Sequence, residues 1–356
     1  MWSTGYYGYL SDYLWWWAVP LALIVHTYCF FRITGGTTRR PRLRLVAGNL
    51  LIGSCLLATG GLVAETYLRF MSVSTDGYGA TLACKRWFGL IGAELNSLYC
   101  RDPEWTEQKP VGVRRIAFVG DSFTFGWGIN HVEDRATDII QRRFDSIAPG
   151  RVEVMNVAWG GWDTSMELEA IRRMIAEYDV DEVVLCYLPN DIEHVIPRSN
   201  EFDADRPPSS SLINTQRSYL LDLLYYRIYV PLTMTTVRAY WDGLADGFAD
   251  AKIWRTHQQQ LGAIILACRE REVGIRVALL PLIQSRGDNW DSRKVHDQVG
   301  TFFATNHVEV VDLLPVIAGR DPSSLAVSGS DWHPNEAANR LFADAVWLAF
   351  YADKGG

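Results

Sequence analysis

Five residues in four separated segments of this chain have side chains or amides suited to serine-based acyl chemistry. Ser122 comes shortly after the expected strand RRIAFV, and a hydroxyl at such a turn can attack a carbonyl when a base removes its proton. Gly161 and Asn190 follow two further apolar runs, where a backbone N–H and a side-chain amide can donate to a ligand oxygen. His333, with Asp331 two residues before it, supplies a base and a carboxylate to orient that base. Together they provide a nucleophile, oxyanion donors, a base and an acid.

Each of these residues also has a structural explanation. Ser122 could cap a helix, and the glycine pair before Trp162 could serve only a turn. Asn190 precedes an aspartate, which is common in turns, and a lone histidine near a helix start is usually structural. The catalytic interpretation depends on the positions of all five residues together, because each of them lies at the end of an expected strand or in the last loop.

Alternation of short β-branched runs with helical patterns predicts a three-layer α/β/α domain around a mainly parallel five-stranded sheet. Active residues in such sheets collect beyond the carboxyl ends of the strands. The expected strands are Val113 to Val119, Val152 to Val157, Glu182 to Leu188, Ile275 to Leu280 and Val308 to Leu313. The expected helices include Thr164 to Tyr178, Ile253 to Arg271 and Asn335 to Phe350.

The sequence predicts three regions. Residues 1–64 form a membrane anchor, residues 65–112 a linker or cap, and residues 113–356 the α/β domain. An insertion at 200–250, rich in tyrosine and leucine, is expected to form a lid over that domain.

Two uncharged stretches, 13–31 and 45–64, match the length of about 20 residues that spans a bilayer. A cleaved signal peptide is the alternative for the first stretch, but no Lys or Arg precedes it and its apolar run is longer than an h-region. The tryptophans at 15, 16 and 17 suit a membrane interface. Small residues at Ser54, Ala58 and Gly61 allow another helix, the first span or a partner protein, to approach closely.

Five arginines lie between the two stretches, and positive residues in short loops favour the cytoplasm. Both chain ends and everything after Glu65 are therefore expected outside the cytoplasm. In an oxidising compartment Cys84 and Cys100 could form a disulfide, and two buried free thiols are the equally weighted alternative.

Charge and cysteine spacing exclude two classes of function. Residues 1–64 carry five Arg and one Asp, a net charge of +4, whereas the remainder carries 29 basic and 40 acidic groups, a net charge of −11. A domain of that charge repels phosphate backbones, so no nucleic-acid partner is expected. The six cysteines form no CxxC pair and no cluster with histidine, so no metal site is expected.

From about residue 113 to 350 the sequence resembles the SGNH hydrolase superfamily, also called GDSL-type esterases, and in particular its membrane-tethered bacterial members. Four blocks carry the resemblance in the expected order: GDSF, NVAWGGWDT, PND and DWHPN. Phe123 stands where the family name has Leu, Pro189 where many members have Gly, and Asp331 lies two residues before His333 instead of three. The last departure leaves the acid as the least well supported member of the site.

The resemblance implies a role for each matching residue. Ser122 would be the nucleophile, His333 the base and Asp331 its orienting acid, with Ser122, Gly161 and Asn190 forming the oxyanion hole. This chemistry requires no metal and no organic cofactor. Trp127, Trp159, Trp162 and Trp332 flank the four blocks and either line a pocket for a sugar or acyl group or pack in the core.

The sequence thus predicts an acetylesterase-like serine hydrolase or O-acyltransferase, anchored in the bacterial inner membrane with its catalytic domain in the periplasm. The resemblance favours an acylated glycan or lipid as substrate. The alternative is an accessory or scaffold subunit of a membrane complex whose hydrolase-like domain has little or no activity.

Overall fold

The computed structural model describes most of the chain, and it separates into two compact units. The described residues are 10–35, 40–77, 79, 81–91, 94–197, 217–229, 236–283 and 290–352. The first unit comprises Met1–Ser74, Tyr78–Leu90 and Ala204–Thr233. The second comprises Thr75–Gly77, Ile91–Asp203 and Met234–Gly356.

The second unit contains a five-stranded, fully parallel sheet with the order β2-β1-β3-β4-β5. The sequence prediction of this sheet is confirmed. Because the chain crosses from one side of β1 to the other between β2 and β3, the order reverses there, and ligands bind such sheets at that switch point. The strands are β1 (Arg114–Gly120), β2 (Val152–Ala158), β3 (Glu182–Tyr187), β4 (Gly274–Leu279) and β5 (Glu309–Asp312).

Helices cover both faces of the sheet, which makes the domain three-layered. One layer is formed by α6 (Thr164–Glu177), α8 (Thr236–Ala249), α9 (Ala251–Arg269) and α10 (Ser292–Thr305). The opposite layer is formed by α5 (Ala136–Ile147) and α12 (Glu336–Phe350). Shorter elements complete the unit: α4 (Ser122–Phe125), α11 (Leu314–Ile317) and an antiparallel ribbon of β6 (Ala326–Ser328) and β7 (Asp331–Pro334).

The alternation of side chains along β1 explains the two cores. Ala117 and Val119 face the layer that contains α6, whereas Ile116 and Phe118 face the layer that contains α12. Successive residues of a strand point to opposite faces, so a strand covered on both sides must be apolar throughout. The run IAFV satisfies that requirement.

Residues 94–112 pack into this α/β unit. Arg101 is fully buried, and its guanidinium donates to the backbone oxygens of Gly126, Ile129 and Asn130. Asp102 pairs with the buried Arg135. The segment just before β1 therefore supports the loop that follows α4.

The first unit is built on two long helices, α1 (Leu10–Thr34) and α2 (Pro41–Phe70), which are long and apolar enough to cross a membrane by length and composition. They run antiparallel: the Tyr13 hydroxyl lies 2.7 Å from Thr66 Oγ1, while a Cβ on Gly48 would collide with the Phe31 ring. The unit also contains α3 (Leu82–Ile91) except for its last residue, Ile91, which belongs to the second unit. It further contains α7 (Tyr219–Leu224), which continues as a π-helix over Tyr225–Tyr229.

Two further predictions concern the pairing of Cys84 with Cys100 and the lid at 200–250. All six cysteines lie in the described part of the chain and none is assigned to a disulfide, and the Cys84 and Cys100 thiols are both buried. Of the expected lid at 200–250, residues 200–216 and 230–235 lie outside the described residues. Residues 217–229 belong to the first unit and α8 to the second.

Candidate active site

Ser122 is the first residue of α4, directly beyond the carboxyl end of β1. The residue that caps this helix is Asp121, whose side chain accepts a hydrogen bond of 2.9 Å from the Phe123 N–H. The helix ends at Gly126, which has a φ of +80°. The alternative in which Ser122 serves as a helix cap is therefore wrong. The Ser122 hydroxyl lies 3.4 Å from Asp121 Oδ2 and has a second, closer partner.

That partner is His333. His333 Nε2 lies 2.8 Å from Ser122 Oγ, and His333 Nδ1 lies 2.5 Å from Asp331 Oδ1. The three residues form one continuous hydrogen-bonded chain. They come together although 211 positions separate Ser122 from His333.

Asp331 and His333 lie in β7 and not, as expected, in a loop. The backbone of β7 pairs with β6 through Ser328 opposite Asp331 and Ala326 opposite Pro334. Asp331 Oδ1 also accepts the backbone N–H of His333 at 3.1 Å. Asp331 Oδ1 thus binds both the backbone N–H and the ring Nδ1 of His333.

The Asp331 carboxylate is fully buried and has a second partner that the sequence did not reveal. Its Oδ2 accepts a hydrogen bond from the hydroxyl of Thr75. Burial alone would raise the pKa of Asp331, but the nearby His333 and these hydrogen bonds hold it below its ordinary value. Asp331 is therefore an anion that can stabilise a positive imidazole.

His333 has the complementary shift. Burial alone would lower its pKa, but the Asp331 carboxylate, with smaller contributions from Asp121 and Asp76, raises it above the ordinary value for histidine. The ring lies 5.3 Å from the Phe123 ring and 5.9 Å from the Trp127 ring, measured between centroids. The imidazole thus has aromatic rings and carboxylates as neighbours.

Gly161 lies in the turn after β2, where the Trp162 N–H donates to the Trp159 oxygen at 3.3 Å. Its φ of +79° is in the left-handed region that favours glycine, although a Cβ there would meet nothing within 4 Å. The requirement for glycine is therefore conformational. The Gly161 N–H has no hydrogen-bond partner among the described residues.

Asn190 lies in the 3₁₀ turn Pro189–Val195 after β3, and Asp191 fixes this turn by accepting the Leu188 N–H at 2.8 Å. The Nδ2 amide of Asn190 makes no hydrogen bond to another described residue, and its Oδ1 is buried without a partner.

The sheet register places the three segments side by side. Gly120 of β1 pairs with Ala158 of β2 on one side and with Cys186 of β3 on the other. The loops that carry Ser122, Gly161 and Asn190 therefore leave the same edge of three adjacent strands.

Two buried carboxyls beside Asp121 were not anticipated. Glu167 of α6 is fully buried with no partner for either oxygen, and Asp191 Oδ1 is equally unpaired. Burial, with repulsion from neighbouring carboxyls, raises the pKa of Glu167 and Asp191 well above their ordinary values. Burial raises the pKa of Asp121 to about 6, against the lowering effect of its hydrogen bonds and of His333. Among the described residues no group of three or more His, Cys, Asp or Glu could hold a metal ion.

The four tryptophans that flank the sequence blocks have different surroundings. Trp127 lies beside His333, and its Nε1–H donates a hydrogen bond of 3.3 Å to the backbone oxygen of Asp76. Trp162 and Trp332 are partly buried and pack against the hydrophobic core, and Trp159 packs against Phe125. The Trp127 ring therefore lies next to the imidazole.

Residues 118–341 match the model of the GDSL-like lipase/acylhydrolase family. The chain belongs to this family. The match covers most of the α/β unit and all five residues of the candidate site. Membership makes the protein an esterase of the GDSL type, in agreement with the resemblance of the four sequence blocks.

Solved structures show similarity at low identity. TesA shares 16% identity over 67% of this chain and 98% of its own, with a TM-score of 0.42. A G-D-S-L family protein from Veillonella parvula shares 18% over 67% and 99%, with a TM-score of 0.41. The acetyl xylan esterase AlAXEase shares 17% over 66% and 99%, with the same TM-score. No curated protein matches the chain.

Proposed function

We propose that Ser122, His333 and Asp331 are the catalytic triad of this GDSL esterase. The observation that carries the proposal is the unbroken hydrogen-bonded chain from Ser122 Oγ through both ring nitrogens of His333 to the buried Asp331 carboxylate. Neutral His333 takes the Ser122 proton on Nε2 while Ser122 Oγ forms a bond to the carbonyl carbon of an ester. Asp331 stabilises the resulting imidazolium, which then returns the proton to the leaving alcohol.

We assign the oxyanion hole to the Ser122 N–H, the Gly161 N–H and the Asn190 amide. The Ser122 N–H is one of the first groups of α4, which a helix cannot satisfy internally. The other two donors lack partners among the described residues, so they are free to bind a developing negative charge. Replacing the Asn190 side chain is expected to lower kcat by about 10² to 10³, the usual cost of one such donor.

The acyl group that remains on Ser122 can pass to water or to a sugar hydroxyl, since both resolve the same acyl-enzyme. We propose an acylated glycan or lipid as the substrate. The Trp127 ring beside His333 supports this proposal, because flat aromatic surface suits either a sugar ring or an acyl chain. Release of acetate from an acetylated polysaccharide, compared with acetyl gain on a deacetylated acceptor, separates hydrolysis from transfer.

We propose that α1 and α2 anchor the protein in the bacterial inner membrane with the α/β unit in the periplasm. The length and apolar composition of the two helices support the anchoring. The arginines at 32, 39, 40, 42 and 44 support a cytoplasmic position for the connection between them.

The triad is tested with a fluorophosphonate ester probe and a short-chain aryl ester. We expect the probe to modify Ser122, as located by peptide mapping, and Ser122→Ala to abolish both labelling and turnover. Ser146→Ala is the matched control, because Ser146 is an exposed serine whose hydroxyl donates to the Arg143 oxygen. Full activity of purified Ser122→Ala would remove Ser122 from the proposed role. Stable co-purification with a larger membrane complex, without labelling or activity, would favour the scaffold function instead.

A further inference from the structure

The short helix α7 lies against the apolar part of α2. The Leu220 Cδ2 atom is 3.8 Å from the position that a Cβ on Gly61 would occupy. Gly61 lies within the uncharged stretch 45–64, near its end. The first turn of α7 is therefore level with the last turn of the proposed membrane span, and Leu220 occupies the space left by a small residue of that span.

A buried ionic cluster fixes α7 at this level. Glu65, the first residue after the uncharged stretch, is fully buried and accepts hydrogen bonds from Ser218 Oγ at 2.8 Å and from the N–H groups of Tyr219 at 3.2 Å and Leu220 at 2.8 Å. Arg69, one turn further along α2, donates to the same carboxylate from Nε at 2.9 Å and Nη2 at 2.8 Å. Glu65 thus accepts hydrogen bonds from the first two N–H groups of α7 at the position where the uncharged stretch ends.

Arg69 also connects the cluster to α1. Its guanidinium lies over the Tyr13 ring at 5.5 Å and over the Tyr219 ring at 5.2 Å. The ends of α1 and α2 and the start of α7 therefore meet around one arginine. Such a group of charges and tyrosines is typical of the boundary between the hydrocarbon and the headgroups of a bilayer.

Beyond this attachment, the segment exposes large apolar side chains. Leu224 is 41% exposed and Ile228 is 52% exposed, and with Leu220 they repeat every four residues. Tyr225, Tyr226 and Arg227 lie between them. Apolar side chains in a row, accompanied by tyrosines and a basic residue, are the composition of helices that lie in the interface of a membrane.

We propose that residues 219–229 form an interfacial membrane element, with Leu224 and Ile228 in contact with lipid acyl chains beside the two spans. The inference rests on the proposed membrane anchoring and adds to it a third, non-spanning contact with the bilayer. Under this proposal the segment is a membrane contact and not the lid that the sequence predicts.

The test uses the full chain in phospholipid vesicles with the photoreactive residue p-benzoylphenylalanine introduced at single positions. It replaces Leu224 or Ile228 in the proposed element. Leu57, 79% exposed in α2, is the positive control within the span. Leu266, 56% exposed on α9, is the matched negative control, because it is an equally apolar and accessible side chain of the α/β unit. The readout after irradiation is the yield of lipid adduct measured by mass spectrometry.

We expect lipid adducts at positions 224 and 228 with yields comparable to position 57, and a background yield at position 266. Adducts at position 57 without adducts at 224 and 228 would overturn the inference and leave the anchoring intact. Cross-links from 224 or 228 to peptides of the α/β unit would overturn it in favour of a lid. Background yields at all four positions would contradict the anchoring itself, and the inference with it.

Discussion

Asp331 binds His333 although only two positions separate them, and its hydrogen bonds explain how. One oxygen binds both the backbone N–H and the ring Nδ1 of His333, which leaves the other oxygen for Thr75. The close spacing is accommodated because β7 is extended and the carboxylate folds back along its own strand. The residue that looked least certain from the sequence has three hydrogen bonds.

The raised pKa of His333 predicts the pH dependence of the reaction. Only neutral imidazole accepts the Ser122 proton, so kcat/KM should rise with pH through the His333 pKa, at a pH above the ordinary histidine value of about 6.5. In Asp331→Asn the carboxylate that raises this pKa is lost, so the acidic limb should move to lower pH while kcat falls by about 10⁴. The measurement is kcat/KM for an aryl ester between pH 4 and 9. An unchanged acidic limb in Asp331→Asn would contradict the assigned pair.

Thr75 acts through Asp331 and is predicted to be a positioning residue. We expect Thr75→Val to lower kcat/KM by about 10- to 100-fold, because a hydrogen bond to a buried charged group is worth about 1.5 to 3 kcal/mol. Thr75→Ser keeps the hydroxyl and should retain most of the activity. Steady-state kinetics of both variants, with circular dichroism to confirm folding, provide the check. Equal activity of the two variants would show that the hydroxyl has no influence on the acid.

At the scale of elements, α6 inserts a carboxyl into the core beside β1. Glu167 shares the buried face of α6 with Thr164, Ile171 and Met174, and both of its oxygens lack hydrogen-bond partners. Burying an unpaired carboxyl is costly when it is charged, so the folded protein favours the protonated form.

This burial predicts a stability that falls as pH rises. Above about pH 4.3 the unfolded chain releases the Glu167 proton while the folded protein retains it, so wild-type stability decreases with pH until the raised folded pKa is reached. Glu167→Gln removes this loss, and its Tm should exceed that of the wild type by a margin that grows from pH 5 to pH 8. Glu169→Gln, at an exposed position of the same helix, is the control and should show no such trend. A constant difference across this pH range would mean that Glu167 is ionised in the folded protein.

The sequence predicted the sheet because each strand is rich in β-branched and apolar residues. It also predicted that Ser122, Gly161 and Asn190 lie at one edge of the sheet, because each follows one of these strands. It did not predict Thr75, since a contact across 256 residues from a segment without periodicity leaves no local pattern. The burial of Glu167 could have been predicted, because Glu167 lies three residues after Thr164 and four residues before Ile171. This is the spacing of residues on one face of a helix, here the core face of α6. The ribbon of β6 and β7 was missed because strands of three and four residues are too short for a period to show.

At the scale of the whole molecule, no disulfide is assigned among the six cysteines of the described chain. The thiols of Cys84, Cys100, Cys186 and Cys268 are buried, and none is assigned to a disulfide. Burial raises the pKa of Cys100, Cys186 and Cys268 to about 12, so these three remain protonated at neutral pH.

We therefore expect the Tm to be the same with and without a reductant, even in protein isolated from an oxidising compartment. Iodoacetamide should leave these four cysteines unmodified in the native protein and modify all of them after denaturation, as measured by mass spectrometry of the peptides. A Tm that drops on reduction would instead indicate a disulfide.

Thr75 is only five residues beyond Phe70, the last residue of α2. This short separation limits where a shortened chain can begin. A soluble version that begins near Val113, where the first strand starts, would discard the hydroxyl that binds Asp331 and the guanidinium of Arg101 that supports the loop after α4. Such a fragment would retain all five residues of the candidate site and still leave a buried carboxylate oxygen without its donor. Expression designs that remove the two apolar helices should therefore start at or before residue 75.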